Sequence, residues 1–201
     1  IKIKAADNVT FGIEKGELAV VLGPSGAGKT TVLNILGGMD KCDSGQVLVD
    51  GKDITKYNNK DLIKYRRNDI GFVFQFYNLV QNLTSIENIE LTNQICKDTL
   101  PAEQVLTSVG LKNRMNNFPS QLSGGEQQRV AVARALINKP AIIFADEPSG
   151  NLDTASAENL HQLFFKLRDE LGQTFVIVTH NEELANMADR KLIMVDGLIS
   201  N

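Results

Sequence analysis

The sequence predicts an α/β domain with a mostly parallel sheet. Short apolar runs that are typical of buried strands alternate with helical segments along the 201 residues, and this alternation favours parallel strands joined by helices. Two glycine-rich stretches, GPSGAGKT at 23–30 and LSGG at 122–125, each stand directly before a helical run. The chain is long enough for one well-buried domain with an inserted subdomain, but not for two large domains.

The first elements are a strand, a loop and a helix. ELAVVL at 17–22 is a buried strand, and KTTVLNILGG at 29–38 is a helix that ends at its glycines. Asp50-Gly51 interrupts the alternating pattern of 45–54 and predicts a hairpin. DIGFVFQ at 69–75 is the next strand.

From Thr84 onward the pattern is helical. Thr84 and Glu87 form a capping box before IENIELTNQI, Pro101 begins a second helix, and the run after LSGG is a third. No convincing strand lies between them. We therefore expect an inserted helical subdomain.

The last third returns to alternating strands and helices. AIIFAD at 141–146 is a buried strand, and an amphipathic helix at about 154–171 ends at Gly172. TFVIVTH at 174–180, a short helix and a hairpin at Asp196-Gly197 follow. We assign 1–201 to a single domain, in which 1–75 and 138–201 form the core with a small antiparallel β subdomain and 76–137 form the helical subdomain.

Composition excludes several classes of protein. The chain is 42% hydrophobic and 22% charged, as in ordinary globular domains, and its net charge of −3 gives no indication of nucleic-acid binding. No apolar run approaches the ~20 residues of a membrane span, and no signal peptide is visible. Cys42 and Cys96 lack the spacing of a metal site, so we expect free thiols in a reducing compartment.

GPSGAGKT satisfies the pattern G-x-x-x-x-G-K-[ST] of a phosphate-binding loop. Its glycines let backbone N–H groups surround a β-phosphate, Lys29 reaches the β and γ oxygens, and the Thr30 hydroxyl binds Mg²⁺. A strand precedes the loop and a helix follows it, which makes a glycine-rich turn without phosphate the weaker interpretation. We predict an ATP and Mg²⁺ site here.

Polar residues also end three apolar strands. Asp146 is expected to hold Mg²⁺ through water, and Glu147 to orient or deprotonate the attacking water. Gln75 and His180 end two further strands at the same edge and are candidates to reach the γ-phosphate, Mg²⁺ or the water, although either alone is more often a packed strand-end residue. His161 lies beside the apolar stripe of a helix, and we expect only a helix-flank residue.

Taken in order, GPSGAGKT, Gln75, LSGGEQQR, IIFADEP, NLD and His180 resemble the ATP-binding-cassette ATPases over essentially the whole chain. LSGGEQQR distinguishes this family from the other P-loop families, which lack it. The resemblance implies a RecA-like P-loop core and a nucleotide sandwiched between the P-loop of one subunit and LSGG of a second, where Ser123 and the Gly125 N–H contact the γ-phosphate. It also implies that Asp153 crosses the dimer interface near the opposite P-loop.

These patterns and the resemblance together define the predicted site. The catalytic candidates are Glu147, His180 and Gln75, and the Mg²⁺ ligands are Thr30, Gln75 and Asp146. The nucleotide-binding residues are Gly23, Pro24, Ser25, Gly26, Ala27, Gly28, Lys29, Thr30, Thr31, Ser123, Gly124, Gly125, Gln127 and Asp153.

The stretches GFVFQFYNLVQNLTSIENIEL and DEPSGNLD are most similar to the lipoprotein-releasing and macrolide-exporter group, with the cell-division ATPase of similar sequence as the alternative. The resemblance implies a motor subunit that forms a homodimer on ATP and drives a separate membrane permease from the cytoplasmic side of the inner membrane. A role in DNA repair or on ribosomes is disfavoured, because DNA-repair relatives need a long coiled-coil insertion and ribosome-associated ones need two fused cassettes, and this chain has neither. A nucleotide-binding switch without a membrane partner is a further alternative.

Two aromatic features bear on partners and nucleotide. Phe76, Tyr77, Leu79 and Val80 follow Gln75 as a cluster that either forms the small core of the helical subdomain or is exposed as a docking patch for the permease. The family usually stacks adenine on an aromatic residue upstream of the P-loop. We assign Phe11 to a strand near the core, and therefore expect the stacking residue to precede Ile1.

Overall fold

Strands and helices alternate along the chain, as predicted. The computed structural model describes residues 5–96 and 98–200. Its strands are β1 (Leu18–Leu22), β2 (Leu48–Val49), β3 (Lys52–Asp53), β4 (Ile70–Phe74), β5 (Ile142–Asp146), β6 (Thr174–Thr179), β7 (Arg190–Val195) and β8 (Leu198–Ser200). Its α-helices are α1 (Lys29–Leu36), α2 (Asn59–Asn68), α3 (Ser85–Glu90), α4 (Ala102–Ser108), α5 (Gly124–Leu136), α6 (Thr154–Leu171) and α7 (Glu182–Met187).

The main sheet has the strand order β4-β5-β6-β1-β7-β8 within the described residues. Its first five strands are parallel, and β8 pairs antiparallel with β7. β2 and β3 form a separate antiparallel pair. Because the carboxyl ends of parallel strands meet at one edge, the loops that follow β1, β4, β5 and β6 converge there, which is where ligands bind in sheets of this kind.

The core has two layers because helices cover both faces of the sheet. Successive residues of β1 point to opposite faces, so Val20 lies in one apolar cluster and Val21 in the other. The first cluster also contains Phe164 of α6, and the second contains Leu33 of α1. Every residue of β1 and β6 is buried, which explains why these strands are continuous apolar runs without polar alternation.

Between β4 and β5 the described residues form helices, turns and irregular segments but no strand, in agreement with the helical pattern of that region. The predicted capping box is present, because the Thr84 side chain accepts from the Glu87 N–H and the Glu87 carboxylate accepts from the Thr84 N–H. Gly71 allows α5 to approach β4 closely, since a Cβ there would lie 2.6 Å from the backbone oxygen of Ala135. No helix in the described ranges is long and apolar enough to cross a membrane.

Two features differ from the sequence analysis. α2 was not assigned, and the reason is its polarity: only Leu62 and Tyr65 are buried, so no apolar stripe marks it. The assignment of Phe11 to a strand is wrong, because residues 9–14 form no strand and Phe11 is a half-buried residue that packs against the cluster containing Leu33.

Candidate nucleotide-binding site

The loop 23–30 joins β1 to α1 in a shape that requires glycine. Gly26 and Gly28 have positive φ angles of 82° and 100°. A Cβ on Gly28 would lie 2.0 Å from the oxygen of Ala5, and one on Gly23 would lie 2.1 Å from that of Met194. Within residues 5–96 and 98–200, no side chain caps the N-terminus of α1, which leaves its first N–H groups to face an anion. The other predicted residues of this loop and helix start, Pro24, Ser25, Ala27 and Thr31, lie there as well.

Lys29 begins α1 and is held within the loop. It is 7% exposed, and its Nζ donates to the carbonyl oxygens of Gly23 (2.8 Å) and Pro24 (3.0 Å). The same Nζ lies 3.8 Å from Glu147 Oε1. The loop therefore carries a buried Lys side chain beside the N-terminal N–H groups of α1, an arrangement that suits phosphate oxygens.

Thr30 and Asp146 face each other across the edge of the sheet. The Thr30 hydroxyl lies 3.3 Å from both carboxylate oxygens of Asp146. Burial raises the pKa of Asp146, aided by the nearby Glu147 and opposed by the hydrogen bond from Thr30. Among the described residues no group of three or more His, Cys, Asp and Glu could hold a metal ion.

Glu147 follows β5 in an uncommon backbone conformation, with φ at 44°. Its N–H donates to the carbonyl of Val178 at 2.9 Å, and its Oε2 accepts a 2.9 Å hydrogen bond from Thr179 Oγ1. His180 Nδ1 lies 3.1 Å from the same oxygen. The structure thus brings the predicted Glu147 and His180 together. It adds Thr179, whose only sequence signal is a polar residue at the end of an apolar strand.

Gln75 contacts the segment that follows Glu147. Its Nε2 donates to Asn151 Oδ1 at 3.0 Å, and Asn151 Nδ2 donates to the Gln75 carbonyl oxygen at 3.3 Å. A Cβ on Gly150 would lie 2.9 Å from Gln75 Nε2. Gln75 therefore reaches the predicted edge of the sheet, where its amide is paired with Asn151.

His161 lies on α6 beside its buried apolar residues, as expected, and it also makes one polar contact. Its side chain is buried, and its Nε2 lies 3.0 Å from Ser149 Oγ. Burial lowers the pKa of His161. The imidazole therefore joins α6 to the segment after Glu147. The sequence could not show this because the contact depends on how α6 packs.

LSGG forms the start of α5, as predicted. The Ser123 hydroxyl accepts from the Glu126 N–H at 3.2 Å, and the Glu126 carboxylate accepts from the Ser123 N–H at 2.8 Å, which completes a capping box. Arg114 donates to Glu126 at 2.9 Å. The Gln127 amide donates to the Leu122 carbonyl oxygen at 3.2 Å. The signature turn is therefore fixed by its own polar side chains.

The start of α5 lies against the start of α6. A Cβ on Gly124 would lie 2.8 Å from the Tyr77 hydroxyl, and one on Gly125 would lie 3.2 Å from Ser156. Asp153 caps α6 by accepting from the Ser156 N–H at 3.0 Å and its hydroxyl at 2.7 Å, and these bonds lower the pKa of Asp153. No hydrogen bond or ion pair joins LSGG to the loop 23–30 among the residues that the structure describes.

Two polar side chains of α5 hold the backbone on both sides of Gln75. Gln128, which is fully buried, donates to the carbonyl oxygens of Phe74 (3.0 Å) and Pro148 (2.8 Å). Arg134 donates to the carbonyl oxygens of residues 77 and 78 at 3.1 and 2.6 Å. The helix that begins at LSGG is thus connected to the end of β4 and to the segment after Glu147.

The aromatic and aliphatic cluster after Gln75 divides between core and surface. Leu79 is buried and Tyr77 is half-buried against the core, whereas Phe76 is 70% exposed and Val80 is also exposed. The interpretation as a small core therefore applies to Leu79 and Tyr77, and the interpretation as an exposed patch applies to Phe76 and Val80.

Known proteins similar to this chain belong to one family. The sequence model described as ABC transporter matches residues 6–150. The lipoprotein-releasing system ATP-binding protein LolD of Cytophaga hutchinsonii is 53% identical over 95% of this chain and 90% of its own length, and that of Bacteroides thetaiotaomicron is 50% identical over 98% and 93%.

Solved structures give the same result. A dimeric bacterial ABC transporter cassette covers 99% of this chain and 90% of its own, with 41% identity and a TM-score of 0.87. The same cassette in a post-hydrolysis state bound to ADP and Pi has 41% identity and a TM-score of 0.86 over the same shares. The predicted fold class and ATPase activity are confirmed. Because the family model matches more than half of the chain and relatives of at least 50% identity span nearly all of it, the chain belongs to the ABC transporter family and is one of its ATPases.

Proposed function

We propose that this chain is the ATP-hydrolysing motor subunit of a lipoprotein-releasing transporter, and that its homodimer drives a separate membrane permease from the cytoplasmic side of the inner membrane. The convergence of Lys29, Thr30, Asp146 and Glu147 at one edge of the sheet carries the chemical part of the proposal. The relatives from Bacteroides, Porphyromonas and Cytophaga are 48–53% identical to this chain, and their name, lipoprotein-releasing system ATP-binding protein, supports lipoproteins as the transported class.

The nucleotide phosphates would be held by the N–H groups of the loop 23–30 and by Lys29. Oxygen ligands suit Mg²⁺, so we assign it to the Thr30 hydroxyl, to Asp146 through water, and to Gln75. The ion would neutralise charge on the phosphate oxygens. The Nε2 group of Gln75 is paired with Asn151, and the amide oxygen Oε1 is the atom that would bind the ion.

Glu147 is the proposed general base. Its Oε2 is engaged by Thr179 and lies beside His180, while Oε1 faces the Lys29 ammonium. A carboxylate held in this way is able to orient a water molecule and accept its proton. Replacing Glu147 by Gln should retain nucleotide binding and reduce turnover by ~10²–10⁴-fold, whereas Lys29→Ala should weaken binding itself.

The two glycine-rich stretches are proposed to act on different nucleotides. LSGG makes no hydrogen bond or ion pair with the loop 23–30 of its own chain in the described residues, and the similar cassette forms a dimer. In such a dimer Ser123, Gly124, Gly125 and Gln127 would meet the nucleotide of the second subunit. Asp153 would lie near the opposite P-loop.

Mixing two defective variants tests the shared site. Lys29→Ala disables the P-loop of one chain, and Ser123→Arg blocks the signature of the other. Both also carry Glu147→Gln, so that trapped ATP is counted without turnover. A mixed dimer regenerates one complete site, and we expect about one trapped nucleotide per mixed dimer and almost none for either variant alone.

No trapping in a mixture shown by tagged pull-down to contain mixed dimers would refute the shared site. A chain that used both stretches on its own nucleotide would gain nothing from mixing. Trapping by either variant alone would equally contradict the proposal, because each homodimer lacks one half of both sites.

The permease is proposed to contact the helical subdomain, residues 76–137, through the exposed Phe76 and Val80. Their position next to Gln75 would connect the nucleotide to the membrane protein. Phe76→Ser should abolish co-purification with the permease from detergent-solubilised membranes and leave basal ATPase activity intact. Retained co-purification would locate the contact elsewhere.

A further inference from the structure

The carboxylate of Glu147 is held by one buried hydroxyl. Thr179 ends β6, is 1% exposed, and donates from Oγ1 to Glu147 Oε2 at 2.9 Å. His180 Nδ1 lies 3.1 Å from the same oxygen, but the His180 side chain is 69% exposed and is free to leave it. Of these two neighbours, Thr179 is the one with a fixed position.

Three contacts fix Thr179 itself. Its backbone pairs with Leu22 of β1, and its carbonyl oxygen accepts from the Gly23 N–H at 3.4 Å. Its Oγ1 accepts from the Asn181 N–H at 3.1 Å. A hydroxyl has one proton to donate, and because the Asn181 N–H is a donor, that proton is directed to Glu147. The direction of this hydrogen bond is therefore determined by the fold.

Glu147 needs such a constraint because its backbone is in the left-handed region, at φ 44°. For a residue other than glycine this conformation costs about 1–2 kcal/mol and persists only where the surroundings impose it. The Glu147 N–H donates to the Val178 carbonyl oxygen, and its own carbonyl oxygen accepts from the Gly150 N–H. The backbone is thus anchored to β6, and the side chain is anchored to the last residue of the same strand.

We propose that Thr179 is a positioning residue, which holds Oε2 of Glu147 and thereby sets the orientation in which this carboxylate meets the attacking water. The inference rests on the proposed role of Glu147 as the base. Thr179 also connects three parts of the site. Its carbonyl oxygen accepts from the Gly23 N–H of the loop 23–30, and its hydroxyl donates to Glu147 and accepts from the N–H of Asn181, which caps α7.

The test compares side chains that differ in the hydroxyl alone. Thr179→Val keeps the shape and removes the hydroxyl, whereas Thr179→Ser keeps the hydroxyl and removes the methyl group. A misplaced catalytic group costs up to ~10²-fold in rate, so we expect kcat for ATP hydrolysis to fall about 10–100-fold in Thr179→Val with KM changed less than about twofold. Thr179→Ser should stay within a few-fold of the wild-type kcat.

A second pair of variants tests the same point if Thr179→Val does not fold. Thr179→Ala and Thr179→Ser both lack the methyl group and differ only in the hydroxyl, so their kcat ratio measures the same effect. Equal kcat values in this pair, or a Thr179→Val enzyme within about twofold of the wild type, would overturn the proposal.

A double-mutant cycle with Glu147→Gln separates positioning from general damage. If Thr179 acts through the carboxylate, Thr179→Val should lower the residual rate of Glu147→Gln by less than about twofold. A further drop of 10-fold or more would show a separate role and overturn the inference. Near wild-type turnover of Glu147→Gln alone would instead refute the proposed base, so the two failures are distinguishable.

Discussion

Replacing Gln128 by Met should cost this fold a large part of its stability. Gln128 is fully buried, and its single Nε2 supplies hydrogen bonds to the carbonyl oxygens of Phe74 and Pro148. Met has a similar length and flexibility and no donor. The substitution therefore leaves the volume nearly unchanged and removes the donor from both carbonyl groups.

The magnitude follows from the two carbonyl groups. A buried acceptor left without its partner costs about 1–3 kcal/mol, so two of them cost roughly 2–6 kcal/mol. The Oε1 atom of Gln128 has no hydrogen-bond partner among the described residues, and removing it returns about 1–2 kcal/mol. The difference spans roughly 0–5 kcal/mol, and we expect a net loss near its middle, about 2–3 kcal/mol, in the free energy of unfolding.

Urea unfolding of the purified chain measures this loss. With a slope of about 2 kcal/mol per molar urea, the midpoint should fall by roughly 1–1.5 M. The matched control is Gln127→Met, one residue earlier, where the side chain is half-buried and donates, among the described residues, to Leu122 just before its own helix. A midpoint for Gln128→Met within about 0.3 M of that control would refute the reasoning, because the two carbonyl groups would then have found other partners.

Three further substitutions test the packing, the titration and a helix cap. Gly71→Ala should destabilise by about 1–3 kcal/mol in urea, because the new Cβ would meet the backbone oxygen of Ala135 at 2.6 Å; an unchanged midpoint would show that α5 moves away freely. Burial lowers the pKa of His161, so the unfolded chain takes up this proton first as the pH falls below about 6.5. Stability should therefore decline on acidification, and less so in His161→Gln; equal pH slopes would exclude this contribution. Thr84→Ala should lower the free energy of unfolding by about 1 kcal/mol, measured by thermal or urea unfolding, since it removes the acceptor for the Glu87 N–H. The control Thr107→Ala leaves this cap intact and should be less destabilised; equal losses in the two variants would contradict the role of the cap.

Elements marked by local chemistry were predictable from the sequence. Asp50 and Gly51 both have positive φ, as the predicted hairpin requires, and Gly172 ends α6 in the left-handed conformation. The phosphate-binding loop was predictable for the same reason, since its glycines, Lys29 and Thr30 are consecutive or nearly so. In each case the residues that determine the structure lie within a few positions of one another.

Contacts between distant segments were not predictable in this way. His161 meets Ser149 and Thr179 meets Glu147 only because α6 and β6 pack beside the end of β5. A buried Thr at a strand end has the same sequence pattern as an ordinary packed residue. α2 was missed for another reason, because its two buried residues are too few to produce a helical period of hydrophobicity.

The polar groups of the site keep their positions because they are paired with one another. A buried ammonium without partners would be costly, and Lys29 avoids this cost through the carbonyl oxygens of Gly23 and Pro24. Gln75 is likewise paired with Asn151. A phosphate that enters such a site exchanges these hydrogen bonds for its own, so its affinity reflects the difference between two sets of partners. The intramolecular partners therefore preorganise the site and at the same time limit how tightly it binds.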